Sequence, residues 1–252
     1  MKSTEDISPE RPAEVFFSSS GAQKITGALA IFTAIVATAM TIAWADKHDT
    51  DKKYLGGLNW DEKVFNWHPV LMVTGMVFFL VCSLVSYRVM GFSKNVQKIV
   101  HGIMHTGAII CILTGLAAVV TSHNYTNHNN KGTYSPNLYS MHSLIGMSAI
   151  VLYLTNYILG ILNFALPGSN INIAKAFKPH HIFFGICTLF VGAMAIESGI
   201  TELNSKLDCT YHVTSGDWNP ADNYHRLSAG CRLSNGIGII VLITVLLCAY
   251  TL

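Results

Sequence analysis

Charge is the scarcest commodity in this sequence. Only 12% of its 252 residues are Asp, Glu, Lys or Arg, against about a quarter in an ordinary soluble domain, and 51% are apolar. A chain so poor in charge is excluded from the ordinary water-soluble globules and belongs in a bilayer. The formal net charge of +2 is small and scattered, which excludes nucleic acid as a partner. The N-terminal stretch, residues 1–24, lacks an apolar run behind a basic start. It reads as a polar cytoplasmic tail, not as a cleaved signal peptide.

What is present is a series of long apolar runs. Crossing about 30 Å of hydrocarbon takes about 20 residues at a helical rise of about 1.5 Å each, and six runs qualify: 25–45, 68–90, 99–121, 138–166, 181–201 and 235–252. The expected fold is an all-α membrane protein of six transmembrane helices, with 25–252 as the membrane domain. Six is even, so both termini share a side. Lysine and arginine fall eight against eight on the two sides, so the positive-inside rule does not choose between them. Cys209 and Cys231 lie in the loop between spans five and six, and the sequon Asn124-Tyr125-Thr126 lies between spans three and four, on the same face. A disulfide or a glycan needs that face to be lumenal or extracellular, which puts the termini in the cytoplasm. Cys82, Cys111, Cys187 and Cys248 fall in apolar spans and read as small core residues.

Four spans begin at or near a histidine: His68, His101, His142 and His181. An ionisable side chain in hydrocarbon is costly and rare without a partner, so four in equivalent places call for one explanation. Successive spans alternate in direction. His68, followed by Pro69 in a first helical turn where proline is tolerated, and His142 therefore lie toward the outer surface, while His101 and His181 lie toward the cytoplasm. Two imidazoles from different helices at one depth suit the two axial positions of a haem iron. Zinc takes four donors, and no carboxylate or cysteine is placed to complete a tetrahedron. The expectation is a central four-helix di-haem core, with His68 paired to His142 and His101 to His181. From two stacked haems follows electron transfer across the membrane.

The phrases FNWHP (65–69), KIVHGIMH (98–105), NLYSMHS (137–143) and KPHHIFFG (178–185) each carry one of these histidines. Through them the chain resembles the cytochrome b561 family of ascorbate-dependent transmembrane oxidoreductases, over residues 66–203. The resemblance implies two haem b groups on the same histidine pairs and a homodimer. It also implies an ascorbate site on the cytoplasmic face and an acceptor site, for monodehydroascorbate or a ferric chelate, on the other. The family's inner phrase ALLVYRVFR stands here as SLVSYRVMG (83–91), which keeps Tyr87 and Arg88 but has Gly91 in place of the last arginine. Arg88, Lys98 and Lys178 are the cations for ascorbate or for haem propionates. His123, Asn124 and Tyr139 match family residues near the acceptor site; in such a pocket Asn124 would not carry a glycan.

His105 follows His101 by one helical turn and faces the same side, as a hydrogen-bonding neighbour or a substitute ligand. His180 points away from His181. Glu197, an acid inside the fifth span, is a proton relay or a protonated structural residue, and Glu202 a structural acid at the rim. Two other functions stay open. A histidine-lined metal transporter draws on His48, His123, His128, His212 and His225 in the outer loops. A haem-anchoring subunit of a quinone-linked complex would have a stable partner. The membrane, whether plasma, vesicle or lysosomal, is not encoded in the spans.

Overall fold

A computed structural model of the chain describes residues 20–48, 53–129, 136–166, 168–209 and 227–252. These form six long helices: α1 (Gly21–Asp46), α2 (Val64–Val89), α3 (Lys94–Asn129), α4 (Met141–Ala165), α5 (Ile171–Lys206) and α6 (Ala229–Thr251). All six are long and apolar enough to cross a bilayer. Among the described residues there is no strand. The chain is thus a multi-pass, all-helical integral membrane protein.

Short polar side chains set where the helices begin. Ser20 and Gln23 form a reciprocal capping box on α1, Ser140 accepts from the Ser143 N–H at the start of α4, Asn170 caps α5 and Ser228 caps α6. Each oxygen satisfies an N–H that the first helical turn leaves without a partner.

These caps move several boundaries away from the expected ones. The stretch between the expected fourth and fifth spans is helical from Ile171 onward, so Lys175, Lys178 and Pro179 belong to α5. Asn170 starts that helix early, and Pro179 sits in its interior at the loss of one backbone hydrogen bond. His123 and Asn124 lie within α3, which continues to Asn129. The fourth span starts at Met141, behind Leu138 with φ +56° and the cap Ser140, not at 138.

α2 is the central element, with 61% of its most apolar stretch buried inside the protein, against 17–39% for the other five. Val70, Val73, Val77, Leu80, Val81 and Val85 are all nearly inaccessible. Residues 74–79 form a wide π turn within α2. Gly75 in that turn lets α3 come close: a Cβ there would lie 3.0 Å from the Ala108 carbonyl oxygen. α1 packs along α6 through Ala30, Ala34 and Ala37 and through hydroxyl pairs, Thr33–Thr244 at 2.9 Å and Thr26–Thr251 at 3.0 Å. This pair flanks α2 and leaves α2 to α5 to carry the histidines. Large apolar side chains such as Phe32, Ile103, Ile110 and Phe183 face outward, as a surface solvated by acyl chains does.

Candidate functional site

The histidines meet in two pairs. The ring centroids of His68 and His142 are 6.0 Å apart with planes at 81°, and those of His101 and His181 are 6.3 Å apart at 66°. All four rings are partly buried.

Each ring is held through Nδ1. His68 Nδ1 lies 3.0 Å from the Gly115 carbonyl oxygen, and His142 Nδ1 lies 2.9 Å from that of Ala195. His101 Nδ1 lies 2.9 Å from Ser83 Oγ and 3.1 Å from Ser83 O, while the Ser83 hydroxyl donates to His101 O at 3.1 Å. His181 Nδ1 lies 3.0 Å from Asn156 Oδ1, and Asn156 Nδ2 donates to His181 O at 3.1 Å. Every one of these partners is an acceptor, so Nδ1 carries the proton in all four rings and Nε2 keeps its lone pair. That is the tautomer of a metal-binding imidazole, set by the hydrogen bond that its other nitrogen donates.

The holding bonds are reciprocal. α3 holds His68 of α2 and α2 holds His101 of α3; α5 holds His142 of α4 and α4 holds His181 of α5. Along α3, α4 and α5 the acceptor follows the histidine by fourteen residues, from His101 to Gly115, His142 to Asn156 and His181 to Ala195. At about 1.5 Å per residue this is roughly 21 Å, or about two-thirds of the hydrocarbon. Along α2 the interval from His68 to Ser83 is fifteen, and the π turn at 74–79 lies inside it. A π turn absorbs one added residue, so the four helices keep the two pairs at matching depths.

Both pairs fit a bis-imidazole metal. One ion bonded to each ring at about 2.0 Å puts the centroids roughly 6 Å apart, the spacing found in both. Two glycines leave the rings room: a Cβ on Gly199 would lie 2.7 Å from His142 Cε1, and one on Gly160 would lie 2.9 Å from His181 Cε1. Trp67 Nε1, next to His68 in sequence, is buried with no hydrogen-bond partner among the described residues, a donor available to an acidic group.

The other expected residues fall in several places. Tyr87 stacks edge-on to His101 at 5.3 Å. Arg88 Nη2 donates to Leu252 O at 2.8 Å. Lys98 and Lys178 are exposed, three residues before His101 and His181. His105 bonds through Nδ1 to the Tyr153 hydroxyl at 2.6 Å, and its ring stands 4.4 Å from that of His101. At the other end His123 Nδ1 bonds to Asn137 Oδ1 at 2.9 Å, Asn124 is exposed and Tyr139 is 82% exposed. Cys209 and Cys231 are joined in a disulfide with Cα atoms 5.7 Å apart. Glu202 accepts from Lys206 at 2.7 Å. His48 packs its ring against Gly57. The side chain of His128, and all of His212 and His225, lie outside the described residues. Among the described residues no three His, Cys, Asp or Glu side chains converge as a metal cluster.

Ser83, Asn156, Tyr153 and Gly199 escaped the sequence reading. Asn156 did carry a signal, since a carboxamide inside an apolar span needs a partner. The carbonyls of Gly115 and Ala195 carry none, because any residue supplies one.

Six apolar helices, four of which bring together two partly buried imidazole pairs, define a multi-pass membrane protein with two candidate metal-binding pairs. The profile of the eukaryotic cytochrome b561 family matches residues 67–206: the chain belongs to that family, and with it comes a b-type haem. It is 34% identical over 202 residues to the lysosomal membrane ascorbate-dependent ferrireductase CYB561A3 of Mus musculus, covering 78% of this chain and 77% of the relative. The protein of the same name from Homo sapiens is 34% identical over 203 residues, with the same shares. The transmembrane ascorbate-dependent reductase CYB561 of Mus musculus is 39% identical over 140 residues, 55% of this chain and 53% of the relative.

Proposed function

We propose that this protein is a transmembrane oxidoreductase that takes electrons from ascorbate on one side of the membrane and delivers them to ferric iron or monodehydroascorbate on the other. The observation that carries this reading is the common state of the four histidines, each with Nδ1–H tied and Nε2 free, in two pairs roughly 21 Å apart along the helices. We assign His68 with His142, and His101 with His181, as the residues that would hold two haem b groups, each through its Nε2 lone pair. A bound b-type haem supplies a reversible one-electron couple at its iron.

The chain's own residues do the rest. The acceptors at Nδ1 fix each ring's orientation and raise its basicity toward a metal. The apolar helices keep water from the space between the pairs. Arg88 and Lys98 supply cations for haem propionates at the His101 end, and Tyr87, Arg88, Lys98 and Lys178 receive the ascorbate monoanion there. At the other end His123, Asn124 and Tyr139 face the acceptor. The Cys209–Cys231 disulfide lies beyond the His68 end and belongs in an oxidising compartment, which orients the His101 end and both termini toward the cytoplasm. A homodimer in a plasma, vesicle or lysosomal membrane completes the assignment.

The test is the visible spectrum of the purified protein before and after ascorbate, with haem quantified per chain. Two haems per chain, both reduced by ascorbate, is the expected result. A colourless protein that retains zinc would discard the assignment in favour of metal transport.

A further inference from the structure

Beside the four paired histidines, one imidazole of the core has no assigned task. His105 lies on α3, one helical turn beyond His101 in the direction of Gly115, or about 6 Å toward the level of the His68 pair. Tyr153 of α4, only 3% exposed, meets it there. The phenol oxygen lies 2.6 Å from His105 Nδ1 and donates to His105 O at 3.2 Å. Its single proton goes to the carbonyl, so the oxygen accepts from Nδ1–H. This is the same two-point hold that Ser83 places on His101 and Asn156 on His181. A third ring at this end is therefore oriented by the device that orients the pair.

A ring held in this way has a neighbour to act on. It stands 4.4 Å from the ring of His101 with planes at 85°, an edge-to-face arrangement of the kind that flat rings favour. The two axial positions of a haem hold their imidazoles roughly 6 Å apart, so His105 is too close to His101 to be its partner across an iron. It packs against the ring instead. His101 Nδ1 has two acceptors at similar distances, Ser83 Oγ at 2.9 Å and Ser83 O at 3.1 Å. Hydrogen bonding alone lets the ring rock between them, and the fixed edge of His105 limits that rocking.

We propose that His105, clasped by Tyr153, is a positioning residue for His101: it fixes the plane of that ring relative to His181, at 66°, and with it the electronic state of the haem that this pair would hold. The inference rests on the haem assignment above. In a ferric haem with two imidazole ligands, the angle between the ligand planes governs the splitting of the iron d orbitals, and groups around the ligands set their orientation.

The experiment is the low-temperature EPR spectrum of the oxidised full chain in lipid nanodiscs, with the signal of the His101 haem assigned from His68→Ala. Tyr153→Phe keeps the buried ring and removes only the hydroxyl, whereas His105→Asn keeps an amide near the place of Nδ1 and removes the imidazole. Each should shift the low-field g value of the His101 haem, leave the signal of the other haem unchanged and retain two haems per chain. Tyr157→Phe is the control: it removes the 3.0 Å hydrogen bond between Tyr157 and Thr106, which joins the same two helices, and leaves the Tyr153–His105 contact in place. It should move neither signal, although a clasp that served only to join α3 to α4 would make all three variants alike. A g value unmoved in Tyr153→Phe or in His105→Asn, or moved as far by Tyr157→Phe, would overturn the proposal and leave the haem assignment standing. A wild-type chain without haem would overturn both.

Discussion

The two histidine pairs look alike in spacing and differ in how they are held. At the His68 end both rings donate to backbone carbonyls, Gly115 O and Ala195 O. At the His101 end both rings are gripped at two points by side chains: Ser83 and Asn156 each accept from Nδ1 and donate back to the same histidine's carbonyl. A carbonyl is fixed by the helix that owns it and cannot be mutated away. A side-chain clamp is specific, and one substitution can remove it. The His101 end is also the more crowded, with Tyr87, His105 and Tyr153 gathered beside it. The two ends should therefore respond differently to substitution, although each supplies the same two nitrogens.

The largest effect that would break the comparison comes from the ligands themselves. His68→Ala and His101→Ala should each lower bound haem from two to one per chain, measured as the pyridine haemochrome, and the double variant should bind none. Loss of both haems from either single variant would mean that the two ends are one unit. Next in size is Asn156→Leu, which strands the Nδ1–H of His181. Loss of such a supporting hydrogen bond typically costs about 10–100-fold in metal affinity. Haem transfer to apomyoglobin should therefore speed up by about that factor for one haem and leave the other unchanged.

The glycines sharpen the comparison from the other side. Gly199→Ala would press a methyl against His142 and Gly160→Ala would press one against His181, at 2.7 and 2.9 Å from Cε1. Overpacking of this kind costs about 1–3 kcal/mol, and the nearer contact should cost more. Each substitution should shift the midpoint potential of its own haem in a redox titration. A shift of the far haem by Gly199→Ala would show that the ends communicate through α5.

Much of this was legible in the residues. Six spans follow from apolar runs, and the two histidine pairs follow from alternating helix direction, because both depend on composition and order alone. The helix ends were less legible. α5 begins ten residues before its expected start at 181 because Asn170 caps it and the helix runs on through Pro179, features that a hydropathy window does not weigh. The holding contacts split by type. Asn156 was missed although a carboxamide in hydrocarbon is a readable signal, while Gly115 and Ala195 act through atoms that every residue has. The extra residue between His68 and Ser83 was visible only as an uneven interval, and it acquires meaning from the π turn that absorbs it.

The smallest effect tests the clamp most finely. Ser83→Ala removes a hydroxyl that accepts from His101 Nδ1 at 2.9 Å and donates to His101 O at 3.1 Å, yet it leaves the Ser83 carbonyl in place at 3.1 Å from the same nitrogen. The ring then keeps an acceptor of the kind that His68 and His142 already use. The cost should be that of one net hydrogen bond, about 0.5–1.5 kcal/mol, and haem loss from the His101 pair should rise by about two- to twelvefold, below the effect of Asn156→Leu. If Ser83→Ala instead equals Asn156→Leu, the carbonyl is not holding the ring. The His101 end would then depend wholly on its side chains, and the contrast between the two ends would be larger than the distances imply.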